Sequence, residues 1–167
     1  MFNRKISKET YTTLISENKE MLYRIAFAYL HDEVKSLDAV DEAIYLGYVH
    51  MKDLREAKHL KTWLIRILIN ECLRIIRSNK KEIVLEVLPE DSENTGEDSS
   101  HLKLAIKDLE EDLRKVIVLR YFGGFTIAET AKILGIPDGT VSTRSRKALK
   151  ILRVELSDEE GASHDVQ

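Results

Sequence analysis

Residues 140–153 read TVSTRSRKALKILR, a run in which hydroxyls and cations interleave with small apolar groups at helical spacing. Val141, Ser145, Ala148 and Leu152 recur at steps of four, three and four, which puts them on one buried stripe. At about 100° per residue, Thr143, Arg146, Lys147 and Lys150 point the other way. Thr140, Ser142 and Thr143 sit near the N-terminal end, where hydroxyls can meet base edges, while Arg144 on the flank is better placed for phosphate. The chemistry on offer is recognition of a polyanion, with no covalent step.

Such a helix has to be held by a second one, and the preceding residues supply it. Thr126 can cap free backbone N–H groups and Glu129 completes a capping box, with Ile127, Ala131 and Leu134 on one face. Gly135 supplies the left-handed residue that ends a helix, Ile136 can pack back, Pro137 cannot continue it and Asp138 can cap the next. Phe125 to Arg153 therefore reads as a DNA-binding helix-turn-helix.

A second basic stretch, HLKTWLIRILINECLRIIRSNKK from His59, has Trp63, Ile67, Leu68 and Ile75 to anchor a helix. Lys61, Arg66, Asn70, Arg74 and Arg77 line its other faces, and the Asn70 amide can both donate to and accept from a base edge. The net charge of −3 argues against nucleic acid only until its distribution is seen. From Arg55 to Lys81 eight cations face two acids, whereas Glu82 to Asp98 carries seven acids and no cation. Local fields decide where a polyanion docks.

Hydrophobic residues make up 43% of the 167-residue chain and charged ones 33%, which with seven Gly and two Pro points to an all-α protein rather than a turn-rich β fold. Helices are expected over roughly Ser7–Leu30, Val34–Lys52 and His59–Ser78, with Leu14, Leu22, Ile25, Ala26 and Tyr29 as core positions of the first. Periodicity returns near Leu102, in a helix with Leu113, Val116, Ile117 and Tyr121 as core positions. The organisation expected is two small helical domains, residues 1–78 and 102–155, joined by a flexible acidic linker over 79–101 and followed by a frayed tail over 156–167.

The single Cys, Cys72, excludes an intrachain disulfide and favours a cytoplasmic setting. The N-terminus lacks the apolar core of a signal peptide, and the run from Trp63 to Ile69 is broken by Arg66, so membrane insertion is not expected. The five His are scattered without ligand spacing, and there is no glycine-rich phosphate cradle. Neither a cofactor, nor a metal, nor catalysis is indicated.

Taken together these stretches resemble the sigma-70 family of RNA polymerase sigma factors, in its small extracytoplasmic-function group. DAVDEAIYLGYVH, from Asp38, is similar to the family's polymerase-binding helix. HLKTWLIRILINECLRIIR resembles the loop and helix that meet the minus-ten promoter element, and LRKVIVLRYFGGFTIAETAKILGIPDGTVSTRSRKALKILR the region that reads the minus-35 element. The resemblance implies that Asp38, Asp41, Glu42, Ile44 and Tyr48 lie on or beside the surface gripping the clamp helices of core RNA polymerase. It implies minus-ten contacts from Lys58, Lys61, Thr62, Trp63, Arg66, Asn70, Arg74 and Arg77, with a flipped base received in the loop before Trp63. Minus-35 contacts would come from Thr126, Thr140, Ser142, Thr143, Arg144, Arg146, Lys147 and Lys150. It further implies an anti-sigma partner that masks these faces, and a linker that threads toward the polymerase cleft. Asp41 stands where the family usually has Gln, Ser142 where many members have a basic residue, and Glu110 where a Pro often opens the last region. The residues alone also admit a stand-alone helix-turn-helix regulator whose N-terminal half is a sensor or dimerisation module, or an interaction protein that reads no DNA.

Overall fold

A computed structural model describes residues 5–83 and 97–162, and among these no strand occurs. The chain divides into two compact units. The first is built from α1 (Lys8–Leu30), α2 (Glu33–His50) and α3 (Leu60–Ile83), with short 3-10 turns at Met51–Asp53 and Ala57–His59.

Helix α1 starts where the local chemistry allows. The Ser7 hydroxyl accepts the Thr10 N–H at 3.1 Å, and buried Ile6 packs with Tyr11, an apolar clasp across the cap. It ends at His31, whose left-handed backbone (φ 51°) lets its N–H reach the Phe27 carbonyl at 2.8 Å. The next residue, Asp32, opens α2 by accepting the Lys35 N–H at 2.9 Å. Leu22, Ile25, Leu60, Leu64, Ile65, Leu68 and Cys72 are among the fully buried side chains that fill the space between the three helices.

One close approach fixes the seat of α2. The Tyr11 hydroxyl donates to the Ile44 carbonyl at 2.6 Å, and its ring meets Tyr48 edge-on at 6.0 Å. This works because residue 47 is glycine: a Cβ there would stand 2.5 Å from the Tyr11 oxygen and 3.0 Å from Leu64 Cδ1.

The second unit holds α4 (Glu97–Asp108), α5 (Glu111–Ile117), a π-turn over Val118–Phe122, α6 (Ile127–Leu134) as far as Ala131, and α7 (Asp138–Ala162), while Lys132–Leu134 group with the first unit. Its core gathers Ala105, Ile106, Leu109, Leu113, Ile117, Ala148 and Leu152, with Phe122 and Ile151 packed against it. In the π-turn that follows α5 the Gly123 N–H reaches five residues back to the Val118 carbonyl at 2.9 Å, which closes the turn.

Several expectations are corrected. Helix α3 runs five residues past Ser78 to Ile83, carried by a polar, helix-favouring run, and α4 begins at Glu97 rather than near Leu102. The rest of the expected linker, 84–96, lies outside the described residues. The tail expected to fray is helical to Ala162, an extension of α7, and 163–167 again lie outside the described residues. Tyr121, expected in the core, is 54% exposed because the π-turn rotates it outward, where the Arg120 guanidinium stands 5.8 Å from its ring centre. Leu14, Trp63, Ile67 and Ile75 are half-buried, and the α3 core is Leu64, Ile65, Leu68, Ile69, Cys72 and Leu73.

Burial pushes the Cys72 thiol from an ordinary 9.0 up to about 12, and the Tyr11 hydroxyl from 10.0 to about 12. Both groups therefore hold protons in the folded chain that the unfolded chain releases. The stability tied to them is fully present below about pH 9 and is lost as pH rises toward 12. Denaturant titrations should show this alkaline decline, and Cys72 should react with a disulfide reagent only at the rate at which the first unit unfolds; rapid labelling of the native protein would contradict the burial. In the second unit, Gly135→Ala should cost about 1–2 kcal/mol of stability, read as a lower denaturation midpoint, because residue 135 holds φ 66°.

Candidate nucleic-acid interface

The helix-turn-helix forms as its residues dictate. The Thr126 hydroxyl accepts the Glu129 N–H at 3.2 Å while the Glu129 carboxylate accepts the Thr126 N–H at 2.8 Å, a complete capping box. Gly135 takes the left-handed conformation, and the Ile136 N–H returns to the Ala131 carbonyl at 3.1 Å. Asp138 does not cap α7: the Pro137 carbonyl accepts the Val141 N–H at 3.2 Å, so Asp138 lies in the first turn, where its charge complements the helix dipole.

Along α7, Val141, Ser145, Ala148 and Leu152 are buried as one stripe, and Thr143, Arg146, Lys147 and Lys150 are exposed. Thr140 and Ser142 are half-buried at the entry to the helix, and the Thr143 hydroxyl donates to the Gly139 carbonyl at 2.9 Å. Thr126 is exposed, with its hydroxyl spent on the cap of α6. Two of the expected DNA-binding cations are engaged within the unit: Arg144 Nη2 lies 3.0 Å from Asp112 Oδ2, and Lys147 Nζ 3.7 Å from Glu110 Oε2. Arg146 and Lys150 are held by no ion pair among the described residues.

In the first unit α3 buries Leu64, Ile65, Leu68 and Cys72, which leaves Trp63, Arg66, Asn70, Arg74 and Arg77 together on the opposite side at steps of three, four, four and three. Half-buried Trp63 belongs with that cationic face, its ring seated against the Ile6, Tyr11, Met51 and Leu60 cluster. Arg74 is steered by Glu71 at 2.9 Å. Thr62 is half-buried to one side of this face, and Lys61 is exposed on the other side. In the loop before α3, Met51 and Leu54 act with Leu60, the first residue of α3, as apolar pegs while Arg55 to His59 stay exposed. Lys58 bonds Glu56 at 2.6 Å, a hydrogen bond that holds the Glu56 carboxyl below its usual range.

On α2, Asp38, Asp41, Glu42 and Tyr48 are exposed, whereas Ile44 is half-buried and packs inward on the Tyr11 cluster. Ile44 thus supports the surface from beneath, because its position falls beside the buried Val40, Ala43 and Gly47 stripe. The outward face carries side chains that the sequence reading passed over: Val34 (67% exposed), Leu37, Tyr45 (61%) and Val49. Their signal was available, since α2 has more apolar residues than one buried stripe can accommodate. Glu110 and Asp112 were passed over as well, and only packing of α5 beside α7 brings them to the recognition helix. Among the described residues no group of three His, Cys, Asp or Glu could hold a metal, and no helix is long and apolar enough to cross a membrane.

The same two stretches match known families. Residues 14–82 match the model of sigma-70 region 2, and residues 105–154 that of sigma-70 region 4. The chain is 29% identical over 165 residues to the RNA polymerase sigma factor SigV of Bacillus subtilis, covering 96% of this chain and 99% of that one. It is 28% identical over 174 residues to the ECF RNA polymerase sigma factor SigW of the same organism, covering 93% of each. Its fold is similar to that of the sigma factor RpoE, solved in complex with the anti-sigma factor NepR from Bartonella quintana, with a TM-score of 0.64 at 24% identity over 87% of this chain and 98% of that one. With both regions present in family order and relatives matched along nearly their whole length, the chain belongs to the sigma-70 family of RNA polymerase sigma factors, in its extracytoplasmic-function group.

Proposed function

We propose that this sigma factor binds core RNA polymerase and directs initiation by holding a promoter at two points. The observation that carries this reading is the presence, in one chain, of a helix-turn-helix and a second exposed basic face on α3, each within its matched family region. A stand-alone regulator with a sensor domain is not favoured, because the N-terminal half matches region 2 over 14–82. The protein works by binding and is not an enzyme.

In this reading Ser142, Thr143 and Arg146 meet the base edges of the minus-35 element, Arg144, Lys147 and Lys150 meet phosphates, and Thr126 and Thr140 shape the entry to the helix. Arg66, Asn70, Arg74 and Arg77 track the backbone of the melted minus-ten strand, with Lys58, Lys61 and Thr62 at the approach and the loop before Trp63 receiving an unstacked base. The outward face of α2, where Val34, Leu37, Tyr45 and Tyr48 surround Asp38 and Asp41 with Glu42 at the edge, suits an apolar partner surface bearing cations, and it is assigned to polymerase. An anti-sigma protein would act by covering the same stripe; the complex solved for the related RpoE supports that regulation.

Run-off transcription with core polymerase should give a defined start site only when this protein is added; initiation that is indifferent to it would refute the reading. Arg146→Ala should cost about 1–3 kcal/mol of promoter binding by the holoenzyme while leaving polymerase affinity unchanged. Tyr45→Ala should weaken core polymerase binding by roughly tenfold or more, as truncation of an exposed aromatic anchor does, without changing the protein's melting curve.

A further inference from the structure

Five cations line α7 between Arg144 and Arg153, and carboxylates of α5 reach two of them. Arg144 is paired with Asp112 at 3.0 Å and Lys147 with Glu110 at 3.7 Å, while the intervening acid, Glu111, is turned aside to Lys115 at 2.9 Å. Asp112 and Glu110 remain well exposed, at 59% and 74% of their side-chain surface, so these pairs hardly contribute to stability. Their consequence lies at the surface they share with DNA.

We infer that Glu110 and Asp112 restrain the DNA affinity of the recognition helix by withholding Arg144 and Lys147 from phosphate. The inference rests on reading α7 as the minus-35 recognition helix. Non-specific affinity grows with each cation that neutralises a phosphate and releases counterions. A phosphate that approaches Arg144 or Lys147 must displace a carboxylate, and the displaced carboxylate stays tethered beside it and repels it. Both cations are thereby largely removed from the sequence-independent attraction. Contacts made from Ser142, Thr143 and Arg146 lose nothing, since neither carboxylate holds them. Affinity for promoter and random duplex alike is thereby held down, and the base-edge contacts carry a larger share of what remains.

The test compares the full chain with Asp112→Asn/Glu110→Gln on two labelled duplexes, one of random sequence and one carrying the promoter selected by the run-off assay. Removing the carboxylates should raise affinity for both duplexes by roughly tenfold at low salt and steepen the slope of log affinity against log salt by about 1–2. Asp112→Glu/Glu110→Asp, which keeps both charges, should behave as the wild type, and thermal melts should be the same for all three. Unchanged random-duplex affinity and salt slope in the neutral variant would overturn the inference. Arg146→Ala, run in parallel, separates the two levels: if it binds promoter as well as wild type, the assignment of α7 itself fails, and if it loses binding while the neutral variant gains none, only the withholding role fails.

Discussion

Burial of Leu64, Ile65, Leu68, Ile69 and Cys72 along one side of α3 is the constraint on which the first unit depends. A helix can hide only one broad face, and committing that face to α1 and α2 forces Trp63, Arg66, Asn70, Arg74 and Arg77 to share the other. The cationic face is thus a by-product of where the apolar residues go, and it is as rigid as the core beneath it. The same logic governs α2, where Ala39, Val40, Ala43 and Gly47 face inward and an apolar, acid-dotted stripe is left outside.

In the second unit rigidity comes from backbone chemistry as much as from packing. The reciprocal Thr126–Glu129 cap and left-handed Gly135 set where α6 begins and ends, and Pro137 then supplies the carbonyl on which α7 starts. These devices fix the start of the recognition helix to within a residue. Its hydroxyls and cations consequently emerge at a defined angle, which a recognition surface requires.

Much of this was legible in the sequence, because capping boxes, helix-ending glycines and helical spacing are local signals. The stripe on α7 and the cap of α6 were read correctly down to the residue. What escaped was non-local. That Trp63 shares a face with the arginines, that Ile44 turns inward, and that Arg144 and Lys147 meet acids on α5 all depend on which of two possible stripes a neighbouring helix covers. Helix ends escaped for a different reason: past Ser78 and Arg153 the apolar periodicity weakens, yet lysines and glutamates that favour helix follow, so α3 and α7 continue past their last strongly patterned residue.

The contact between Tyr11 and Gly47 divides α2 into positions of unequal evolutionary freedom. Val34, Leu37, Tyr45 and Val49 of the outward stripe are largely exposed, so they can change to follow a changing partner at small cost to the fold. Residue 47 cannot, since even one added carbon would meet the Tyr11 oxygen and Leu64 at once. Descendants of this chain can therefore retune what α2 binds while its seat against α1 and α3 remains tied to a single residue type.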